Sequence, residues 1–306
     1  MRFAIILNPA ARNGRAGRVR DGLEASLARR GADATIVETS APKHATELAS
    51  TLGRSFDAVV AVGGDGTAHE VARGLRGTTT PMGVIPAGTG NDFAHALGMP
   101  DDIDDAVAAL LAAPTRPVDL GRVRWQETIG HDVPWKEDVF VNCLGAGFDG
   151  QVAMTVPRFK WMGGNLAYLA AVMRCLRSWE RPHAEVTVDG QVLYAGPLYF
   201  ISVCNGHSIG GGFLMTPAAV IDDGHLDHCI VRGMPVLRVL RLLPQTFSGS
   251  HIHAPEVAMG TLMRLAAGSA TALPMQADGE VITEGAHSVE VEVLPGAIRA
   301  LMPGRA

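Results

Sequence analysis

The sequence predicts two domains, an α/β domain built on a parallel sheet followed by a β-rich domain of antiparallel, sandwich-like character. Three observations lead there. Strand-like and helix-like segments alternate through the first third of the 306 residues. The pattern changes after residue 117 to short strand-like runs separated by turn residues. Two glycine-rich turns each follow a strand-like segment directly and open a helix, an arrangement typical of βα units. The expected division is 1–122, joined by 294–306 from the far end of the chain, with 123–293 as the second domain.

Each element has a local reason. Phe3-Ala-Ile-Ile-Leu7 is an apolar run of strand length stopped by Asn8-Pro9 and a loop rich in Gly and Arg. Residues 17–30 place Val19, Leu23 and Leu27 on one helical face and end at Gly31. Ala34–Val37 is the second strand, and 43–53 a helix stopped by Gly53. Phe56–Val62 and Met82–Ile85 are the third and fourth strands, followed by helices over Thr67–Leu75 and Asp92–Leu97. A further helix, 102–113, ends at Pro114. Such alternation needs right-handed crossovers, and so a parallel sheet covered on both faces. Pro114-Thr-Arg-Pro117 reads as a linker. Beyond it, 118–125, 138–144, 184–194, 197–204, 225–231, 256–265 and 288–294 read as strands, with Asp189-Gly190 a hairpin signal. Helical spacing persists only at 164–179 and 235–243.

Composition removes several classes of function. With 47% hydrophobic residues the chain is not disordered, and its 36 glycines have no collagen period. A net charge of −5 lacks the footprint of a nucleic-acid binder, although only Lys43, Lys136 and Lys160 of the 26 basic residues are lysine. No apolar stretch reaches the length of a membrane span, and Phe3–Leu7 is too short for a signal-peptide core. The expectation is a cytoplasmic protein whose membrane contact, if any, is peripheral. Cys143, Cys175, Cys204 and Cys229 form no C-x-x-C pair and read as small core residues in a reducing compartment.

The chemistry lies in the glycine turns. No lysine sits in a Walker pattern, so P-loop chemistry is out, and no G-x-G-x-x-G follows the first strand. Instead Gly63-Gly64-Asp65-Gly66-Thr67 follows the third strand. Pro86-Ala-Gly88-Thr89-Gly90-Asn91-Asp92-Phe93 follows the fourth. Glycines let backbone N–H groups approach a phosphate closely, and a helix N-terminus adds partial positive charge. Asp65 and Asp92 would repel a bare phosphate, so they point to Mg²⁺ or a hydroxyl partner. Two such loops at the carboxyl ends of neighbouring parallel strands answer to a Mg–nucleotide site.

At this point the chain resembles a known family. Gly63–Thr67 and Gly88–Phe93 together look like the signatures of the diacylglycerol-kinase catalytic domain, specifically the bacterial soluble lipid kinases. Asn8-Pro9, Gly210-Gly-Gly-Phe213, Pro217-Ala218, Asp223-Gly-His-Leu-Asp227 and Asp278-Gly-Glu280 match further family blocks, in order, along nearly the whole chain. The resemblance implies that ATP contacts Gly63, Gly64, Asp65, Gly66, Thr67, Ala68 and His69 in the first turn. It adds Gly88, Thr89, Asn91 and Asp92 in the second, with Thr39 near the nucleotide. It implies Glu280 as general base on a lipid hydroxyl, with Asp278 orienting it or organising Mg²⁺; which of the two takes the proton stays open. A second Mg²⁺ site would use the Asp223 side chain and the carbonyls of Val220 and His225, a hard-oxygen donor set.

The expected partners are therefore ATP, Mg²⁺ and a lipid met at a membrane surface; no nucleic acid is expected, and a homodimer stays open. Pro157-Arg-Phe-Lys-Trp-Met162 has an interfacial composition. Leu166, Leu169, Met173 and Leu176, at helical spacing, read as core before membrane anchor, and His251 with His253 as surface histidines. The rival readings are a nucleotide-cofactor kinase of NAD-kinase type, which shares the first turn, and a non-catalytic nucleotide- or lipid-binding regulator.

Overall fold

A computed structural model describes residues 1–10, 16–130, 132–162 and 164–303. The chain divides into two compact units, Met1–Asp119 with the segment from Pro295 onward, and Leu120–Leu294.

The first unit alternates as β1 (Arg2–Leu7), α1 (Ala16–Arg29), β2 (Asp33–Glu38), α2 (His44–Leu52), β3 (Ala58–Gly63), α3 (Asp65–Leu75), β4 (Met82–Pro86), α4 (Asp92–Ala96) and α5 (Ile103–Ala112). β1 pairs in parallel with β2 and β3, and β3 with β4. Every residue of β3 and β4 is buried, as expected of parallel strands covered on both faces. The glycine-arginine loop after Pro9 falls, over 11–15, outside the described residues.

Helices are fixed to one another by few, specific contacts. Asp104 at the start of α5 accepts hydrogen bonds from Ser26 (2.7 Å) and Arg30 (2.7 and 3.0 Å) of α1. Glu70 of α3 takes the N–H groups of Lys43 and Ala45, so a side chain from the neighbouring helix caps α2. Gly74 is required where α3 meets α2: a Cβ there would lie 2.4 Å from the Thr46 carbonyl oxygen.

The second unit contains β5 (Thr115–Gln126, entering from the first unit), β6 (Lys136–Phe140), β7 (Cys143–Gly147), α6 (Phe148–Thr155), a 3-10 segment Val156–Met162, α7 (Gly164–Leu176), β8 (His183–Val188), β9 (Gln191–Cys204), β10 (Leu226–Arg232), α8 (Val236–Leu242), β11 (Val257–Leu262), β12 (Arg264–Ala277) and β13 (Glu280–Leu301). Their order is β11-β10-β9-β7-β12-β13, antiparallel at each step, and the end of β13 pairs in parallel with β4 through Ala300 and Met82. Side chains alternate between two cores. Leu226 and Ile230 of β10 join one, with Val203 and Leu144. Cys229 and Val231 join the other, with Phe148 and Val172 from the helices.

Several expectations change here. The Pro114–Pro117 linker is instead the start of β5. The expected strand 138–144 is broken into β6 and β7 at Val141-Asn142, because the amides of 141–143 leave the ladder for the Asp278 carboxylate. The run 184–194 is two strands, since Asp189 and Gly190 take the left-handed backbone of a hairpin turn. Cys143 and Cys204, directly opposite on β7 and β9, form a disulfide; sixty-one residues of separation hid that pairing from the sequence. His251 is buried rather than on the surface.

Candidate functional site

In the first unit the two glycine turns form one structure. β3 ends at Gly63, Gly64 is extended, and α3 begins at Asp65, two residues earlier than the sequence predicted. The Gly63 carbonyl accepts the Ala87 N–H at 2.8 Å, so the ladder runs into the turns themselves. The Cα of Gly64 faces that of Gly88. A Cβ on Gly88 would lie 2.4 Å from the Gly64 Cα, so only two glycines allow this approach. Across the same seam Asp65 Oδ1 accepts the Phe93 N–H at 2.9 Å. Asp65 thereby caps the first turn of α4 from a different loop, and the turns carrying Asp65 and Asp92 are neighbours.

Other residues hold the cradle. Asn91 has the left-handed backbone (φ 58°) that asparagine tolerates. Its Oδ1 accepts the Gly88 N–H at 2.8 Å, closing the second loop on itself. Thr67 is buried, and its hydroxyl accepts the Asn8 side-chain N–H at 3.1 Å. A Cβ on Gly63 would strike that hydroxyl. Thus the Asn8-Pro9 motif fixes the start of α3. Ala68, His69 and Asp92 are also buried, whereas Gly64, Asp65, Gly66 and Gly88 are half-buried and Thr89 is exposed. Thr39, half-buried past the end of β2, donates its N–H to the Leu7 carbonyl. The accessible part of the site is backbone-rich, as a phosphate cradle requires. A Cβ at Gly64 or Gly88 would press on the opposite turn, and the glycine-lined backbone these turns present is the kind of surface that fits a nucleotide's phosphates.

In the second unit Asp278-Gly279 is the two-residue turn joining β12 to β13, with left-handed backbone at both positions (φ 50° and 86°). The Asp278 carboxylate is buried and accepts three backbone N–H groups: Val141 on Oδ2 (2.8 Å), Asn142 and Cys143 on Oδ1 (2.9 Å each). Its own N–H donates to the Cys143 carbonyl. Glu280, first residue of β13, is exposed. The two acids of one motif therefore sit in opposite environments.

The turn is braced further. Gln276 accepts the Gly279 N–H at 2.7 Å and donates to Asp149 Oδ2 at 2.7 Å. Asp149, in the first turn of α6, is buried, and burial pushes its carboxyl above the usual carboxylate range despite the Gln276 hydrogen bond. Gly145 must be glycine, since a Cβ there would overlap this carboxylate at 1.8 Å. Sequence reasoning missed Asp149, Gln276 and the amides of 141–143. Gly145, Gly147 and Gly150 around Asp149 were the available signal for a tightly packed acid.

At the second-unit cation candidate, Asp223 Oδ1 accepts the N–H of His225 at 2.9 Å, and the His225 ring turns toward the Asp223 carbonyl. Asp227 is pushed up to about 6 by burial and by the adjacent Asp223 charge. Two crowded carboxylates and exposed turn carbonyls fit a hard cation. No cluster of three or more His, Cys, Asp or Glu side chains that could hold a metal ion exists among the described residues.

The expected helical core residues are partly surface. Leu166, Leu169 and Met173 of α7 are exposed, only Leu176 being buried, and Trp161 (82%), Leu237 (71%) and Phe247 (55%) are exposed beside them in the chain's helical segments. The described helices include none long and apolar enough to cross a membrane. Arg158, Arg174, Arg177 and Arg241 share these segments and are exposed; the Lys160 side chain lies outside the described part.

Residues 2–123 match the diacylglycerol kinase catalytic domain, and 142–302 the YegS C-terminal NAD kinase beta sandwich-like domain. A diacylglycerol kinase of Mycobacterium tuberculosis is 30% identical over 300 residues, covering 97% of this chain and 94% of the relative. One from Bacillus subtilis is 32% identical over 231 residues, covering 74% and 72%. Among solved structures, a diacylglycerol kinase of Bacillus anthracis superposes with TM-score 0.72 at 20% identity over 98% of this chain and 96% of that one. An NAD kinase of Archaeoglobus fulgidus in complex with ATP shares the fold with TM-score 0.54 at 14% identity, over 99% and 94%.

Proposed function

The chain belongs to the diacylglycerol-kinase family of lipid kinases, and on that premise we propose that it transfers the γ-phosphate of ATP to the hydroxyl of a lipid such as diacylglycerol. The observation that carries the reading is the seam between the glycine turns. Gly64 on Gly88 and Asp65 on the Phe93 amide make one backbone-lined cradle from two strand ends. The cradle's backbone amides suit a polyphosphate.

In this mechanism Gly63–His69 and Gly88–Asp92 bind the nucleotide, largely through main-chain amides, with Thr89 and Thr39 contributing hydroxyls. Asp65 keeps the two turns in register, so that the phosphate chain meets a fixed set of donors. An alcohol is a weak nucleophile at neutral pH, and a carboxylate in hydrogen-bond reach removes its proton as the bond to phosphorus forms. Glu280 is that base. Asp278 is the positioning residue: three amides hold its carboxylate, which fixes the turn from which Glu280 projects. Mg²⁺ supplies neutralisation of the γ-phosphate charge when bound. Asp65 and Asp92 would hold it near the nucleotide, and Asp223 with the Val220 and His225 carbonyls would hold a second ion that stiffens the turn before β10.

The lipid is met at a membrane surface. Trp161, Leu166, Leu169, Met173, Leu237 and Phe247 present exposed apolar side chains, interleaved with arginines, in segments where α7 and α8 contain no Asp or Glu. Such a composition favours an anionic interface. The test is incubation of the purified protein with labelled ATP, Mg²⁺ and diacylglycerol-containing vesicles, beside a parallel reaction with NAD⁺. Label extracted with the lipid is the expected result. Label on NAD⁺, or none in either acceptor, overturns the proposal.

A further inference from the structure

The second unit contains an apolar cavity of about 90 Å³, to which the family motifs contribute only Phe213. It is lined by α6, α7, β9, β10, α8 and the 3-10 turns after it. Phe148, Tyr168, Val172, Tyr199, Phe213 and Leu242 represent its walls. The wall carries few polar side chains, and apart from the buried His251 Nδ1, which has no hydrogen-bond partner, several of them are engaged elsewhere. Thr246 donates its hydroxyl to the Leu243 carbonyl at 2.6 Å, and His251 Nε2 lies 3.3 Å from the Met215 carbonyl. Asp149 is bonded to Gln276, and burial pushes its carboxyl above the usual carboxylate range. A nucleotide, sugar or peptide would bring polar groups that this wall could not satisfy, at a cost of kilocalories for each group left unpaired. The wall suits a ligand with no polar groups along its length.

Two further observations say what that ligand is. An aromatic row leads inward: exposed Phe247 packs on Phe213 (4.4 Å between ring centroids), and Phe213 on Tyr168 (5.2 Å). The helices that wall the cavity also carry the outward apolar residues. α7 gives Tyr168 and Val172 to the cavity and Leu166, Leu169 and Met173 to solvent; α8 gives Val239 and Leu242 inward and Leu237 outward. A ligand arriving from an anionic apolar interface is thus met by continuous apolar surface.

We propose that this cavity holds one aliphatic chain of the acceptor lipid, drawn in along the Phe247–Phe213–Tyr168 row. The inference rests on the lipid-kinase reading for the chain's identity and adds where its apolar part is bound. It also explains the Asp149–Gln276 bridge. The cavity wall at Asp149 is one side chain away from the Gly279 amide, so the same bridge ties the chain-binding wall to the turn that carries Glu280.

The test uses the intact protein and two substitutions that narrow the cavity, Val239→Trp on its half-buried rim and Val172→Trp on its buried wall. A long-chain conjugated-polyene fatty acid serves as a fluorescent probe, without ATP. The wild type should bind it saturably, long-chain diacylglycerol should displace it, and a short-chain, water-soluble diacylglycerol should displace it far less. Val239→Trp should weaken probe binding about tenfold and lower the ratio of kcat/KM for long- over short-chain diacylglycerol by a similar factor, the range one or two lost methylene contacts produce. Should Val172→Trp fail to fold, the wild-type competition and Val239→Trp decide alone. Non-saturable probe binding, or binding and chain-length ratio unchanged in Val239→Trp, overturns the inference. Probe binding requires no turnover: saturable binding blocked by Val239→Trp, with no lipid phosphorylated, would retain an aliphatic-chain cavity while removing the kinase reading.

Discussion

The seam between the glycine turns predicts the effect of a single methyl group. In Gly88→Ala the new Cβ would lie 2.4 Å from the Gly64 Cα, 3.0 Å from the Gly64 nitrogen and 2.9 Å from Asn91 Oδ1. Two of these neighbours are backbone and cannot rotate away. Carbon atoms in ordinary contact are about 3.5 Å apart, so the turns must separate by roughly 1 Å. That displacement acts across the hydrogen bonds that join them, Asp65 to the Phe93 amide (2.9 Å) and Ala87 to the Gly63 carbonyl (2.8 Å). Overpacking of this kind costs about 1–3 kcal/mol of stability. A 1 Å shift in groups that position a reacting phosphate costs about 10²-fold in rate. The assay is calorimetric titration with Mg–ATP beside thermal unfolding, with Gly268→Ala as control. A Cβ at Gly268 meets nothing within 4 Å, so the control should stay within about 0.5 kcal/mol of wild type. A Gly88→Ala protein that melts with the wild type and binds ATP within about twofold would show that the turns do not touch, and the cradle would lose its physical basis.

Further expectations concern the second unit. Glu280→Gln should lower turnover by about 10²–10⁴-fold with ATP affinity and melting temperature unchanged; a near-normal rate removes Glu280 as the base. Asp278→Asn replaces one of the two acceptor oxygens that three backbone N–H groups use by an NH₂ donor, and should destabilise by at least about 2 kcal/mol, read as a lower denaturant midpoint that Glu280→Gln does not show. Asp149 keeps its proton in the folded state at a pH where the unfolded chain, with a carboxyl near about 3.9, has released it. The folded state therefore binds more protons, and this group's contribution to stability falls as pH rises above about 4. Asp149→Asn should gain stability relative to wild type from acid toward neutral pH, and parallel curves would refute the burial argument. Thiol titration in denaturant without reductant should count Cys175 and Cys229 alone, and all four cysteines after reduction. In the native protein the Cys229 thiol, pushed up to about 12 by burial, should not react at neutral pH.

The first unit was legible in the sequence because its signals are local. β1, β3 and β4 are continuous apolar runs ending at Asn8-Pro9, Gly63 and Pro86, and α1 and α2 stop at or just before Gly31 and Gly53. The start of α3 was placed late because Gly64-Asp65-Gly66 contains poor helix formers; the helix begins there since Asn8, fifty-nine residues away, anchors Thr67. The second unit was legible only in part, for the same reason inverted. β6 and β7 separate because of Asp278, more than 130 residues later, and the left-handed turn that brings Asp278 there is visible while its target amides are not. β13 runs for 22 residues with only its later part, 288–294, strand-like in the sequence; the earlier part is held by pairing with β12 through three register shifts. α7 misled by its periodicity. Leu166, Leu169 and Met173 have core spacing, and spacing alone does not say which partner covers a helical face.

The division of labour within Asp-Gly-Glu follows from that hairpin. A two-residue turn with positive φ at both positions admits aspartate at the first, where its short side chain folds back toward neighbouring amides, and glycine at the second. The first acid is thus drawn into the three amides of Val141–Cys143, which hold its carboxyl in place. The residue after the turn is the first of β13 and is exposed. On the proposed reading this second, exposed acid is the one that meets the substrate hydroxyl, while the first sets the turn from which it projects. Gln276 adds a second brace through the Gly279 amide and passes it to Asp149. A base on an exposed strand end would ordinarily sample many positions, and proton transfer demands hydrogen-bond distance. In the proposed mechanism the buried aspartate supplies the rigidity, and its exposed neighbour takes the proton.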